Sequence, residues 1–200
     1  MPTGVHLQDA RQQLFDAAER LLLRAGPNGL TSRAVTDEAG CAKGVLHRHF
    51  ADFDAFLTEL VLDRAAQLRP RAVQLRQSAG TGAVVDNLTT ALTALFGPVW
   101  VALIPLITFR DELRTRLRAA RPGGGTAILG EVTGAVGDYL TAERDLGRIA
   151  ADADIASLTL SLVGGGHLLF TDREPAPPSA DTVARFVTSV LADVLRRRPR

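Results

Sequence analysis

Apolar positions recur every three to four residues along almost the whole chain, with glycine and proline as punctuation. That period predicts helices, and no run alternates long enough to predict a strand. The first helix is expected over Asp9–Ala25, with Asp9 as N-cap and Gln12 at capping-box spacing. Leu14, Ala18, Leu21, Leu22 and Ala25 form its apolar stripe, and Gly26 ends it as a C′ residue. A short helix follows from Ser32 to Ala39, capped by Thr31 or Ser32. Gly40 and Cys41 then make a tight turn into a third helix, Ala42 to Phe50. Asp52 caps a longer helix that Pro70 is expected to close after Arg69. Further helices are predicted near Arg71–Ser78, Thr81–Phe96, Val99–Ala120 (with Pro105 kinking or splitting it), Thr126–Arg144, Asp154–Thr171 and Asp181–Arg197. The fold class is all-α. The expected division is a helix-turn-helix domain over 1–52, a connecting helix over 53–69, and a larger helical domain over 70–200 for ligand binding and dimerisation.

Two short helices joined by a glycine-containing turn match a helix-turn-helix, whose second helix lies in the major groove. On a helical wheel Ala42, Leu46 and Phe50, with Val45, point inward, while Lys43, Gly44, His47 and Arg48 point outward. Two cations, a titratable ring and a glycine permitting close approach suit phosphates and base edges. Arg33 adds a cation on the preceding helix, and Thr31-Ser32 at its start offers amides and hydroxyls to a phosphate.

Composition changes this picture little. The chain has 200 residues, 46% of them hydrophobic, and a net charge of +1, so no whole-molecule field advertises nucleic acid. Lys43 is the only lysine, and it falls on the outward face. A single cysteine, Cys41, excludes an internal disulfide and a cysteine-built zinc site. In the turn it is either a small hydrophobe or a redox switch. No signal peptide and no membrane-spanning run is read, so the expected location is cytoplasmic. His47 and His49 point about 200° apart on a helix and do not form a metal pair. No metal or cofactor is expected.

The run Leu30-Thr31-Ser32-Arg33, continued by Ala39-Gly40-Cys41-Ala42-Lys43-Gly44-Val45-Leu46-His47-Arg48-His49-Phe50, resembles the TetR-family pattern. Leu14, Ala18 and Gly26 before it, and Asp54 and Leu57 after it, fit in register. The resemblance covers residues 8–69, about a third of the chain. It implies a homodimer that binds double-stranded DNA, with Thr31, Ser32, Arg33, Lys43, Gly44, Val45, His47, Arg48 and His49 at the interface. His47 and His49 stand where the family often has phosphate-contacting aromatics, and Phe53 where it often has a lysine. Cys41 and Ala42 replace a common Val-Ser, so the preferred cap of the recognition helix is missing, a local loss of about 1 kcal/mol.

The resemblance also implies that the last two long helices pair across a two-fold axis, with Leu158, Leu162, Gly165, Val183, Phe186, Val190 and Val194 as candidates. A small-molecule pocket would draw on Phe96, Trp100, Leu103, Ile107, Phe109, Arg110, Tyr139 and His167. The glycine runs 123–125 and 164–166 lack the lysine of a phosphate loop. The first reads as an interhelical loop, the second as a dimer seam or a flexible lid, with the seam preferred. The function expected is a transcriptional regulator, a repressor released from a palindromic operator by a ligand. The rivals are a small helical-bundle enzyme, for which GxSxG, HExxH and paired Glu-x-x-His patterns are missing, and a non-DNA interaction module.

Overall fold

The structure, a computed structural model, describes residues 3–120, 127–171 and 177–195. Its helices are α1 (Thr3–Ala25), α2 (Ser32–Glu38), α3 (Gly44–His49), α4 (Phe53–Gln77), α5 (Val84–Leu95), α6 (Pro98–Phe109), α7 (Asp111–Ala120), α8 (Ala127–Asp145), α9 (Ile155–Thr171) and α10 (Ala180–Leu191). Among the described residues the only β pairing is one antiparallel bridge, Ile149 to Leu195. The chain is all-α. The glycine run 123–125 lies outside the described residues.

Local chemistry sets the early boundaries. Gly26 takes φ 67° and its N–H donates to Leu22 O at 2.9 Å, closing α1. Thr31 caps α2, its Oγ1 accepting from Ala34 N–H at 3.1 Å. At the end of α2, Gly40 takes φ 66°. Cys41 N–H then donates to Thr36 O at 3.0 Å and Gly40 N–H to Asp37 O at 3.2 Å. This is the paired-bond glycine stop that turns the chain sharply between two helices. Asp52 caps α4 by accepting from Ala55 N–H at 2.7 Å, and Asp154 and Ser179 do the same for α9 and α10.

Elsewhere burial overrides local signals. Helix α1 starts at Thr3, so Asp9 lies inside it rather than capping it. An interior Asp costs only a fraction of a kcal/mol, roughly 0.7 at most, and nothing over 5–8 breaks the helix. Pro70 does not end α4, which runs on to Gln77 with the segment expected as a separate helix joined to it. The ring frees the carbonyl of Ala66, but both residues are exposed and water can satisfy it, while Leu68 and Leu75 anchor the helix on either side. Pro105 likewise sits inside α6, and the break falls at Arg110. Leu103, Leu106 and Ile107 are buried around the proline. Arg114 Nη1 donates to Thr108 O at 2.7 Å, satisfying a carbonyl at the end of α6. Helix α3 starts at Gly44, two residues after the expected start, because Lys43 supplies no side-chain cap and Val45 N–H bonds Ala42 O in a tighter turn. Helix α10 ends at Leu191, short of Arg197, and Val194 O instead accepts from Ala150 N–H at 2.9 Å.

The chain divides into two compact units. One comprises Met1–Arg64 with Pro98–Ala127. Its core joins Leu14, Leu21, Val35, Leu46 and Leu57 to an aromatic cluster in which Phe50 meets Phe56 edge-on at 5.0 Å and Phe15 at 5.8 Å. Buried Arg64 holds Asp16, Glu19 and Asp63 together. The other comprises Ala65–Gly97 with Ile128–Arg200. Here α10 packs on α5 and α9, and Leu88, Leu92, Leu140, Leu162, Val183 and Val187 are fully buried.

Two of the three glycines at 164–166 serve the second unit's packing. A Cβ on Gly165 would lie 2.6 Å from the ring of Phe186, and one on Gly166 would lie 2.9 Å from that of Phe96. Among the described residues the same unit holds one buried carboxylate, Glu143. It accepts from Gly80 N–H at 3.3 Å and sits 3.3 Å from Arg148 Nε.

Candidate nucleic-acid interface

Helix α3 is held to the first unit by Leu46 and by Phe50 just beyond its end, both buried. Lys43, Gly44, His47 and Arg48 are exposed together on the opposite side. Val45 and His49 are half-buried. Ala42 does not point inward as the wheel predicts: it precedes α3 and is exposed, because the helical phase only begins at Gly44. A Cβ on Gly44 would meet nothing within 4 Å, so the fold itself does not require glycine there.

Charge around this face is arranged by the neighbouring helices. Glu38, at the end of α2, is drawn back toward α1 by Arg24 at 2.7 Å and Arg20 at 2.9 Å. Those bonds, that of Arg24 foremost, hold its carboxyl below its ordinary range. Arg33 is exposed and loosely paired with Asp37 at 3.6 Å. Thr31 is exposed, with its oxygen already accepting the cap bond, and Ser32 is half-buried. No carboxylate among the described residues pairs with Lys43 or Arg48.

Burial, followed by the nearby Asp37 charge, pushes the Cys41 thiol up, away from the thiolate a redox switch needs. Cys41 thus sits in the turn as a small, half-buried side chain.

Arg11 is a residue sequence reasoning misses. From α1 its Nη1 donates to His49 O at 3.2 Å, its guanidinium stacks 4.5 Å from the Phe50 ring, and it pairs with Glu59 of α4. It places a cation at the C-terminal carbonyls of α3, where the helix dipole favours one. Its partners are 38 and 48 residues away, so no local pattern marks it.

The pocket candidates are distributed over both units. In the first, Trp100, Leu103 and Ile107 are buried in α6, whereas Phe109 is 85% exposed. Arg110 is engaged by Asp54 at 3.1 Å. In the second, Phe96 is buried, stacks on Phe170 at 5.6 Å and lies 6.5 Å from the His167 ring. Tyr139 is fully buried and accepts from Asn87 Nδ2 at 3.0 Å. Burial, reinforced by a bond to Glu143, pushes its phenol up.

His167 Nδ1 is buried without a hydrogen-bond partner, and burial lowers the ring's pKa below 6.5. Below that pH the unfolded chain therefore binds protons more readily than the folded one. The contribution of His167 to stability is complete above pH 6.5 and is lost as the pH falls through its lowered value. His167→Gln is expected to flatten the acid side of a stability–pH curve measured by urea unfolding.

The dimer candidates divide. Leu162 and Val183 are fully buried inside their own unit, while Gly165 and Phe186 are half-buried and pack against each other there. Leu158, Val190 and Val194 are half-buried. The apolar residues that α9 turns outward are Leu160, 73% exposed, and Leu168, 70% exposed. Gly164 lies between them, and a Cβ there would meet nothing within 4 Å.

These features define a class: an all-helical protein whose head carries a helix-turn-helix with an exposed basic recognition helix. Residues 14–60 match the family model described as bacterial regulatory proteins, tetR family. Residues 14–60 thus carry the helix-turn-helix segment of that family. The fold of the chain is that of solved structures described as regulators of this kind. One is described as a TetR-family transcriptional regulator from Mesorhizobium loti MAFF303099, with 16% identity, TM-score 0.67, and coverage of 94% of this chain and 95% of that one. Another is Salmonella enterica GusR, with 17% identity, TM-score 0.66, and coverage of 92% and 96%. A third is SmeT, the repressor of the Stenotrophomonas maltophilia multidrug efflux pump SmeDEF, with 16% identity, TM-score 0.63, and coverage of 94% and 91%. At these identities the likeness is one of fold. No curated protein matches the chain by sequence. Among the described residues no single helix is long and apolar enough to cross a membrane.

Proposed function

We propose that the protein is a ligand-responsive repressor that binds a palindromic operator as a homodimer. The observation that carries this reading is the pair of exposed cations with no carboxylate partner among the described residues, Lys43 just before α3 and Arg48 within it, on a helix anchored from behind by Leu46 and Phe50. Cations on a rigid support can meet phosphates and base edges in a fixed register. Gly44 lets the backbone approach closely, and His47, Val45 and Arg33 flank it. Thr31 and Ser32 offer hydroxyls to the phosphates alongside, and His49 stands at the rim. In functional terms residues 1–52 read DNA, the helix over 53–69 connects, and residues 70–200 dimerise and take the ligand. A ligand weakens DNA binding only by its differential affinity for a state with the wrong head separation. The Phe96–His167 neighbourhood of the second unit is the part of the pocket set that keeps this role in the reading. An enzyme would instead need converging nucleophile, base and acid groups.

The dimer face we assign is the outward side of α9, Leu160, Gly164 and Leu168, joined by the half-buried Leu158, Val190 and Val194. Two large apolar side chains exposed at helical spacing suit a second copy of the same helix. Leu160→Asp/Leu168→Asp is expected to convert dimer to monomer in sedimentation velocity while far-ultraviolet circular dichroism stays unchanged. A variant that remains dimeric would remove α9 from the interface. The functional reading itself is tested by selecting duplexes from a random library with the wild-type protein. Enrichment of an inverted repeat supports it, and no enrichment refutes it.

A further inference from the structure

Only Phe50, Ala51 and Asp52 separate the recognition helix from α4. The carboxylate of Asp52 accepts Ala55 N–H at 2.7 Å, which caps α4. It also accepts both terminal nitrogens of Arg116, from α7, at 2.9 and 3.0 Å. Glu112, one turn back on α7, takes Arg116 Nε at 2.7 Å. All three guanidinium nitrogens are therefore committed, and the planar fork is fixed before it meets Asp52. A second contact runs beside it. Arg110, at the start of α7, donates to Asp54 Oδ1 at 3.1 Å and lies 5.6 Å from the Phe53 ring. Residues 52, 53 and 54 are thus each held from the α7 segment, while Arg11 holds 49 and 50 from the α1 side.

We propose that Arg116 is a positioning residue for DNA binding. By gripping the capping carboxylate of α4 it fixes the three-residue turn on which the recognition helix depends for its angle. The inference rests on the DNA-binding reading and deepens it. It makes α7 the part of the chain outside the three-helix head through which that angle is set and altered. Stability is a poor explanation for the pair. Both side chains are a third or more exposed, at 33% and 50%, and exposed ion pairs contribute little to folding. A bidentate bond does restrict orientation, and orientation decides whether fixed cations meet their bases.

The test uses the full-length protein and a duplex that the wild type enriches from a random library. Arg116→Gln and Asp52→Asn are each compared with wild type and with the double variant. Asn keeps an oxygen for the Ala55 amide, so the cap persists without the carboxylate. Each single variant is expected to lose about 10-fold in specific affinity. The double variant is expected to lose no more than either single, because both remove the same interaction. Melting temperatures and non-specific binding should stay near those of wild type. Arg116→Lys should restore only part of the affinity, since an ammonium cannot make two parallel bonds.

The slope of log affinity against log salt separates positioning from direct phosphate binding. An unchanged slope supports positioning, whereas a slope smaller by about 0.9 would put Arg116 on a phosphate and overturn the proposal. Wild-type affinity in Arg116→Gln, additive losses in the double variant, or a parallel fall in melting temperature would overturn it as well. Failure of the wild type to enrich any duplex would instead defeat the DNA-binding reading, and the proposal with it.

Discussion

Replacing Lys43 and Arg48 together with alanine is expected to lower specific DNA affinity by at least about 100-fold. A well-placed basic side chain on a base edge contributes roughly 1–3 kcal/mol of discrimination. One on a phosphate contributes counterion release, and each phosphate left without its cation lowers the salt slope by about 0.9. Titrating the enriched duplex by fluorescence anisotropy at several salt concentrations separates these two roles. A loss of affinity with an unchanged slope places both residues on bases, and a slope smaller by about 1.8 places both on phosphates. The fold should not respond. Both residues are exposed with no carboxylate partner among the described residues, and surface changes of that kind stay within about 0.5 kcal/mol. The single-residue comparison is informative in its own right, because Lys43 immediately precedes α3 and Arg48 lies near its end.

The largest effect on stability is expected at the opposite end of the chemistry, at Glu143. Its side chain is fully buried in the second unit. It ties Gly80 N–H, in the loop after α4, to Arg148 in the loop after α8. Arg148 reaches further across the same loop, its Nη1 donating to Thr81 O at 3.3 Å. Glu143→Leu would strand the part-buried Gly80 amide and leave Arg148 Nε without its carboxylate, while the other two guanidinium nitrogens keep Thr81 O and Gly82 O. Removing one partner of a buried charge pair typically costs about 3–5 kcal/mol. Arg148 keeps 19% of its side chain in water, so the lower end, about 3 kcal/mol, is expected. Glu143→Gln keeps the shape and one acceptor oxygen and should cost about 1–2 kcal/mol. Urea unfolding followed by circular dichroism measures both. Equal, small losses would show that the carboxylate is dispensable, while DNA affinity of the folded protein should be unchanged in either variant.

The difference between these two sites explains how much was legible in the sequence. Stops and caps that depend on a few adjacent atoms were readable: Gly26, Thr31, Gly40 and Asp52 occupy the positions their chemistry favours. The helix-turn-helix follows from them, and so does the outward grouping of Lys43, Gly44, His47 and Arg48. Features decided by distant burial were not readable. Pro70 reads as a break and Pro105 as a kink or split, yet buried leucines on either side carry the helices through both. Ala42 reads as inward only if the helix starts where the pattern does. On α9 the periodicity shows an apolar stripe but not which part the chain's own α10 and Phe96 already fill. Leu162 and Gly165 therefore look like a seam until Val183 and Phe186 are seen packed in the same unit. Arg11 and Arg116 escape for the plainest reason: their partners lie 38 to 64 residues away.

Function turns on whether α3 reads DNA as half of a two-fold pair. The most direct measurement is duplex selection from a random library with the wild-type protein, followed by affinity measurement on the enriched duplex with Lys43→Ala/Arg48→Ala. The expected result is an inverted repeat whose half-site centres lie about 34–36 Å apart or a multiple of that, bound at least about 100-fold more weakly by the variant. Enrichment of no sequence, or equal binding by the variant, would contradict it.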